Sequence, residues 1–162
     1  KAHDALRDDL RFTFVRRVVT SNAVAALEDH KTMDEAAFTV ALMRGDFALH
    51  WEAHGLRYGI PATIDADLRA GRVVVANGSR AAIPEARRRY PDCVVFLVTA
   101  NRETRAARLT ARGRESAADV NARLAREGAE LAADIDRVTI DNSGALTGSV
   151  GVFLAELRRL AD

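Results

Sequence analysis

Arg72-Val73-Val74-Val75-Ala76-Asn77-Gly78-Ser79-Arg80 is the stretch that decides how this chain folds. Its β-branched run has no polar alternation, which suits a parallel strand buried on both faces. The run leads directly into a turn and then a helical pattern ending Arg87-Arg88-Arg89-Tyr90. Ligands of open α/β sheets sit at the carboxyl ends of such strands, so residues 77–80 are a candidate site as well as an ordinary strand-to-helix turn. Gly78 permits positive φ, and Asn77 or Ser79 can cap the following helix. Arg80 favours the site reading, because a guanidinium at the mouth of a sheet suits phosphate or carboxylate better than it suits packing.

Outward from this stretch the pattern alternates. Toward the C-terminus it predicts a helix at 79–89, a strand at 92–99 and a helix at 102–111. The arginine-rich turn Arg112-Gly113-Arg114-Glu115 and a long helix to Leu131 come next, then a strand at 137–141 and the turn Asn142-Ser143-Gly144. The last helix carries Leu146, Val150, Phe153, Leu154, Leu157 and Leu160 on one stripe. Toward the N-terminus, a helix at 62–70 closed by Gly71 follows a turn at 55–59 and a strand at 47–53. Thr32, with Glu35 three residues on, has the spacing of a capping box for a helix ending at Arg44 and Gly45. Residues 22–31 read as a loop, 12–19 as a strand and 2–10 as the remnant of a helix. Strand and helix at this spacing imply right-handed crossovers and a parallel sheet with helices on both faces. The expectation is an α/β fold in one domain, 1–162, with excursions at about 17–60 and 110–125.

Composition bounds the function. The 162 residues are 48% apolar and 29% charged, ordinary for a globular protein. The longest apolar run, from Cys93 to Val98, is far short of the roughly 20 residues that span a bilayer. No leader pattern opens the chain, so the expectation is a cytoplasmic protein with no membrane partner. Cys93, the single cysteine, falls inside the strand predicted at 92–99 and reads as a small core residue. The formal net charge of +1 conceals seven arginines between Arg102 and Arg126, against Glu103, Glu115 and Asp119. A surplus that local suits a small anionic ligand, not nucleic acid, which calls for a broader basic face. The oligomeric state has no signature.

The arginines are the strongest chemical signal. Arg108 and Arg112 are four apart on one helix, and Arg114 and Arg123 follow. Converging guanidiniums without matching carboxylates suit a multivalent anion, and phosphoryl transfer needs charge stabilisation of this kind; a solvated helix face is the other reading. His50 and His54 are four apart, but they fall in a strand and a turn and lack a third ligand, so no metal site is expected. Trp51 reads as core. No Gly-x-Ser-x-Gly elbow and no Gly-x-x-x-x-Gly-Lys-[Ser/Thr] loop occurs.

Together these residues resemble the guanylate-kinase-like branch of P-loop kinases, and within it the ribose 1,5-bisphosphate phosphokinases of bacterial phosphonate catabolism. His54-Gly55-Leu56-Arg57-Tyr58-Gly59 resembles the glycine-tyrosine segment that contacts the acceptor's phosphate. Asn77-Gly78-Ser79-Arg80-Ala81, with Pro84, Ala86-Arg87 and Arg89-Tyr90, resembles the stretch that separates these enzymes from guanylate kinases. Arg112-Gly113-Arg114-Glu115 and Asn121-Ala122-Arg123-Leu124 resemble the arginine-bearing lid, and Asn142-Ser143-Gly144 the adenine-side loop. Two departures matter. His50 stands where guanylate kinases place an acid that reads guanine, and Ser21 replaces the second arginine of the family's Arg-x-x-Thr-Arg in Arg17-Val18-Val19-Thr20-Ser21.

The resemblance implies a P-loop NTPase-like three-layer core, an acceptor-binding excursion at 17–60 and a lid at 110–125. It also implies ATP-dependent phosphorylation of ribose 1,5-bisphosphate to 5-phosphoribosyl 1-diphosphate, with Mg carried on the nucleotide. Arg112, Arg114 and Arg123 would clamp the transferring group. Arg17, Tyr58, Asn77, Ser79 and Arg80 would hold the sugar phosphate, and Arg108, Asn142 and Gly144 would serve the nucleotide. The family's first strand and phosphate-binding loop would precede Lys1, which implies that these 162 residues alone turn over negligibly. A guanylate kinase with altered base recognition and an inactive domain binding an anionic peptide are the alternatives.

Overall fold

The computed structural model describes residues 1–20, 31–111 and 137–162. The expectations for Ser21, the loop at 22–30, the lid with Arg112, Arg114 and Arg123, and the helix to Leu131 lie outside the described residues. The described chain divides into two compact units, Lys1–Cys93 with Leu157–Asp162, and Val94–Glu156.

In the first unit, the short helix α1 (Ala2–Ala5) precedes β1 (Phe12–Val15), which pairs in parallel with β6 (Val73–Ala76). The parallel pairing expected of the valine run is therefore present. Its three valines are half-buried, however, not buried on both faces. The strand expected over 12–19 is two strands, because the chain breaks at Arg16-Arg17 and β2 (Val18–Thr20) joins a different sheet. β-Propensity is continuous across the break and carries no record of the partner.

That second sheet has the order β3-β2-β5-β4, with β3 at Lys31–Met33, β4 at Phe47–Ala53 and β5 at Leu56–Pro61. Pairing with β2 draws Thr32 into a strand, so the cap of α2 (Glu35–Met43) is Asp34 and not Thr32. The Asp34 carboxylate accepts from the Ala37 N–H at 2.7 Å. The turn expected at 55–59 is shorter. His54 and Gly55, with φ of 54° and 72°, form a two-residue hairpin turn, and β5 begins at once. Gly59 lies within β5 for a steric reason: a Cβ there would come within 2.5 Å of the Phe47 ring.

Two apolar clusters fix this sheet. Phe38 and Ala41 of α2 pack on Val18 and Phe47, the two phenyl rings stacking at 4.6 Å. Ala48, Trp51, Ile60, Ile64 and Ala82 form the other cluster, with Tyr58 and Tyr90 against it. Helix α3 (Ile64–Arg69) closes with Gly71 at positive φ. After β6, Ser79 caps a single 3-10 turn (Arg80–Ala82) before α4 (Ile83–Arg89), so the helix expected at 79–89 is in two pieces. Gly78 does not use a positive φ. The end of α4 is tied to α3 by the Tyr90 hydroxyl, which donates to Asp65 at 2.6 Å, and by Arg89, which donates to the other Asp65 oxygen at 2.7 Å. These bonds hold the Asp65 carboxyl below the usual carboxylate range, Tyr90 contributing most, while burial pushes the Tyr90 phenol up.

In the second unit, β7 (Val95–Thr99) and β8 (Arg137–Asp141) pair in parallel, with α5 (Arg102–Ala111) following β7. The last helix, α6, runs Leu146–Ala161, its residues from Leu157 on belonging to the first unit. Of its predicted stripe, Phe153 meets Phe96 edge-on at 5.0 Å and Leu157 is buried, but Leu146 is exposed. Cys93 precedes β7 instead of lying within a strand, its N–H donating to the Tyr90 carbonyl at 2.9 Å. Burial pushes its thiol up, away from nucleophile chemistry.

Candidate functional site

The predicted acceptor residues centre on the hairpin of β4 and β5. Trp51 and Tyr58 are cross-strand partners, and their rings stack at 5.4 Å with only 4° between planes. Trp51 is buried, so it fixes the plane of the half-buried Tyr58 ring from the core. The guanidinium of Arg17, just before β2, lies 5.3 Å from the centroid of the Tyr58 ring. The structure thus brings together Arg17 and Tyr58, two of the predicted acceptor residues.

The third part of this side is the turn after β6. Asn77 and Arg80 are exposed there, and Ser79 is half-buried with its hydroxyl accepting from the Ala81 N–H at 3.3 Å. Ala82 holds the turn against the same core as Trp51 and Ile60. An acceptor contact from Ser79 would therefore come beside its capping bond.

Four features of this half escaped the residue-by-residue reading. Trp51 is core as expected, yet it also sets Tyr58. Thr20 is buried at 2% exposure, and its hydroxyl accepts from the Arg57 N–H at 2.8 Å. Arg57 lays its guanidinium 4.6 Å from the centroid of the Phe38 ring and donates to Thr39 at 2.9 Å, strapping α2 to β5. The Asp65, Arg89 and Tyr90 set ties α3 to the end of α4. Only Trp51 next to His50, and Tyr58 seven residues on, left a pattern that could have been read as a cross-strand pair across a two-residue turn. His50 itself sits in β4 opposite Gly59, so no carboxylate occupies that place.

In the other unit, the carboxyl ends of β7 and β8 meet in a knot of loop hydrogen bonds. Asp141 accepts from the Ser143 N–H at 2.9 Å and from its hydroxyl, and the Ser143 hydroxyl oxygen in turn accepts from the Asn101 N–H at 2.7 Å. The Ser143 bonds hold the Asp141 carboxyl below the usual carboxylate range. Asn101 caps α5 by accepting from the Thr104 N–H at 2.8 Å. Asn142 accepts from the Ser149 hydroxyl at 2.9 Å through its side-chain oxygen. Gly144 and Arg108 are exposed. Two loops fixed at the ends of parallel strands are where a nucleotide would sit in an α/β sheet.

Among the described residues, no group of three or more His, Cys, Asp or Glu could cage a metal ion, and no helix is long and apolar enough to cross a membrane. Magnesium held by nucleotide phosphates and water needs no such cage.

No family model matches the chain. Individual proteins do. A ribose 1,5-bisphosphate phosphokinase of Brucella melitensis is 47% identical over 160 residues, covering 99% of this chain and 83% of that protein. One from Rhizobium etli is 44% identical over 144 residues, covering 89% of this chain and 72% of its own length. Among solved structures, guanylate kinase from Anaplasma phagocytophilum superposes with a TM-score of 0.70 over 98% of this chain and 79% of that one. At 15% identity this likeness speaks for the fold, the α/β architecture of P-loop NTPases. With nearly half its residues shared along almost the whole chain, the protein belongs to the ribose 1,5-bisphosphate phosphokinase family.

Proposed function

We propose that this protein transfers the terminal phosphoryl group of ATP to ribose 1,5-bisphosphate. The bond formed joins that phosphorus to an oxygen of the acceptor's 1-phosphate, ADP leaves, and the product is 5-phosphoribosyl 1-diphosphate. The observation that carries the reading is the 47% identity to a ribose 1,5-bisphosphate phosphokinase over 99% of the chain. The absence of a carboxylate at His50 supports it, since guanine's N–H donors would go unmet there.

Each predicted residue has a part in this reaction. Arg17 and Tyr58 hold an acceptor phosphate, and Asn77, Ser79 and Arg80 bound the sugar side. Arg108, Asn142 and Gly144 serve the nucleotide, with magnesium arriving on its phosphates to neutralise charge during transfer. Arg112, Arg114 and Arg123 close over the transferring group, where planar guanidiniums stabilise charge spread over equatorial oxygens. Lid closure also excludes water, which would otherwise compete as acceptor. The reaction is that of a cytoplasmic metabolic kinase, with residues 17–60 as its acceptor subdomain and 110–125 as its lid.

The test is ADP release by the full-length enzyme with ribose 1,5-bisphosphate or GMP as acceptor. The sugar bisphosphate is expected to be the better acceptor by about 10²-fold or more in kcat/KM, because sites discriminate strongly when buried polar groups are left unpaired. Preference for GMP would overturn the assignment.

A further inference from the structure

We infer that Thr20 is a positioning residue for acceptor binding, one that sets Tyr58 against Arg17 through the Arg57 backbone instead of touching the substrate; this rests on the function proposed above. The register of β2 and β5 pairs Val18 with Gly59 and Val19 with Tyr58, and its continuation sets Thr20 opposite Arg57. The ladder stops before that position. In its place the Thr20 hydroxyl makes both bonds, accepting from the Arg57 N–H at 2.8 Å and donating to the Arg57 carbonyl at 3.4 Å. One side chain thus supplies the last rung of the ladder immediately beside Tyr58.

Burial excludes the more obvious role. Thr20 is only 2% exposed, and its hydroxyl is committed to a backbone amide, so a substrate phosphate has no access to it. The consequence travels along two short strands. Tyr58 is bracketed by the Thr20 rung on one side and by Gly59, opposite Val18, on the other. Arg17 directly precedes Val18, so strand β2 carries the guanidinium at one end and the pin at the other. A slip or fraying of β2 against β5 would change the 5.3 Å between Arg17 and the Tyr58 ring, and with it the spacing of the two groups proposed to hold the acceptor phosphate. Arg57 adds stiffness, since its side chain bonds Thr39 of α2 while its backbone is held by Thr20.

The full-length enzyme tests this with Thr20→Val, which removes the hydroxyl at nearly constant volume, and Thr20→Ser, which keeps it. For Thr20→Val the acceptor KM should rise about tenfold, while kcat and the ATP KM stay within about twofold and Thr20→Ser stays close to wild type. A fall in kcat with both KM values unchanged would mean only a smaller folded fraction, and it would overturn the proposal. Trp51, the one tryptophan in these 162 residues, gives a readout without substrate. Its emission should change in ligand-free Thr20→Val but not in Thr20→Ser, because it is stacked on Tyr58. Unchanged emission would also overturn the positioning role. Should the wild type prove inactive on ribose 1,5-bisphosphate, the function reading alone fails, and the Trp51 comparison still decides the pin. If Thr20→Val does not fold, Thr20→Ala carries the same comparison.

Discussion

The proposed acceptor side and the proposed nucleotide side of this molecule are held in place by different physics. On the acceptor side, Tyr58 is set by an indole from the core, a cross-strand register and a cation over its ring. On the nucleotide side, residues 141–144 are set by hydrogen bonds between two loops, with Ser143 at the centre. Packing against a buried core is non-local, so a fault there is felt in the stability of the whole unit. Loop hydrogen bonds are partly exposed and individually modest, so a fault there is local. The proposed acceptor side therefore relies on rigid strand geometry, whereas the proposed nucleotide loops rely on capped turns.

Three substitutions would break or sharpen this contrast. Trp51→Ala should be the most damaging, at about 3–5 kcal/mol in denaturant unfolding, because it empties a buried aromatic site and frees Tyr58; a cost under about 1 kcal/mol would mean that packing does not hold the acceptor side. Gly59→Ala should cost about 1–3 kcal/mol through overpacking, since its Cβ would lie 2.5 Å from the Phe47 ring. Thermal unfolding reads the loss, and Phe47→Leu in the same chain should recover part of it by vacating the space. Ser143→Ala should be mildest, at about 1 kcal/mol. Its mark would be a raised ATP KM with the acceptor KM unchanged; a rise in the acceptor KM instead would erase the distinction between the two sides.

Much of the α/β order was legible because hydrophobic runs and their breakers are local. The strands at 47–53, 73–76 and 137–141, the helix at 102–111 and the stops at Gly45 and Gly71 stand close to where the pattern sets them. The misreadings share one cause. Residues 12–19 look like one strand, Thr32 looks like a cap and residues 55–59 look like a turn until pairing partners are known. β2 belongs to β3 and β5, β3 takes Thr32 from the helix start, and β5 takes the residues after His54-Gly55. Gly59 reads as turn chemistry although its role is clearance for Phe47.

The same division holds at the candidate site. By itself the sequence determined which chemistry is on offer: Arg17, Tyr58 and Arg80 as candidate anion partners, His50 where the family resemblance expects a base-reading acid, a run of arginines beyond Arg108, and the likeness to one kinase family. Only the tertiary structure decided that Tyr58 meets Trp51 and Arg17, that the Thr20 hydroxyl is spent on Arg57, and that Asn142 is turned by Ser149. The reason is physical. Residue type and local periodicity are properties of neighbours along the chain, whereas a stacked ring or a buried hydroxyl depends on register between strands that lie tens of residues apart.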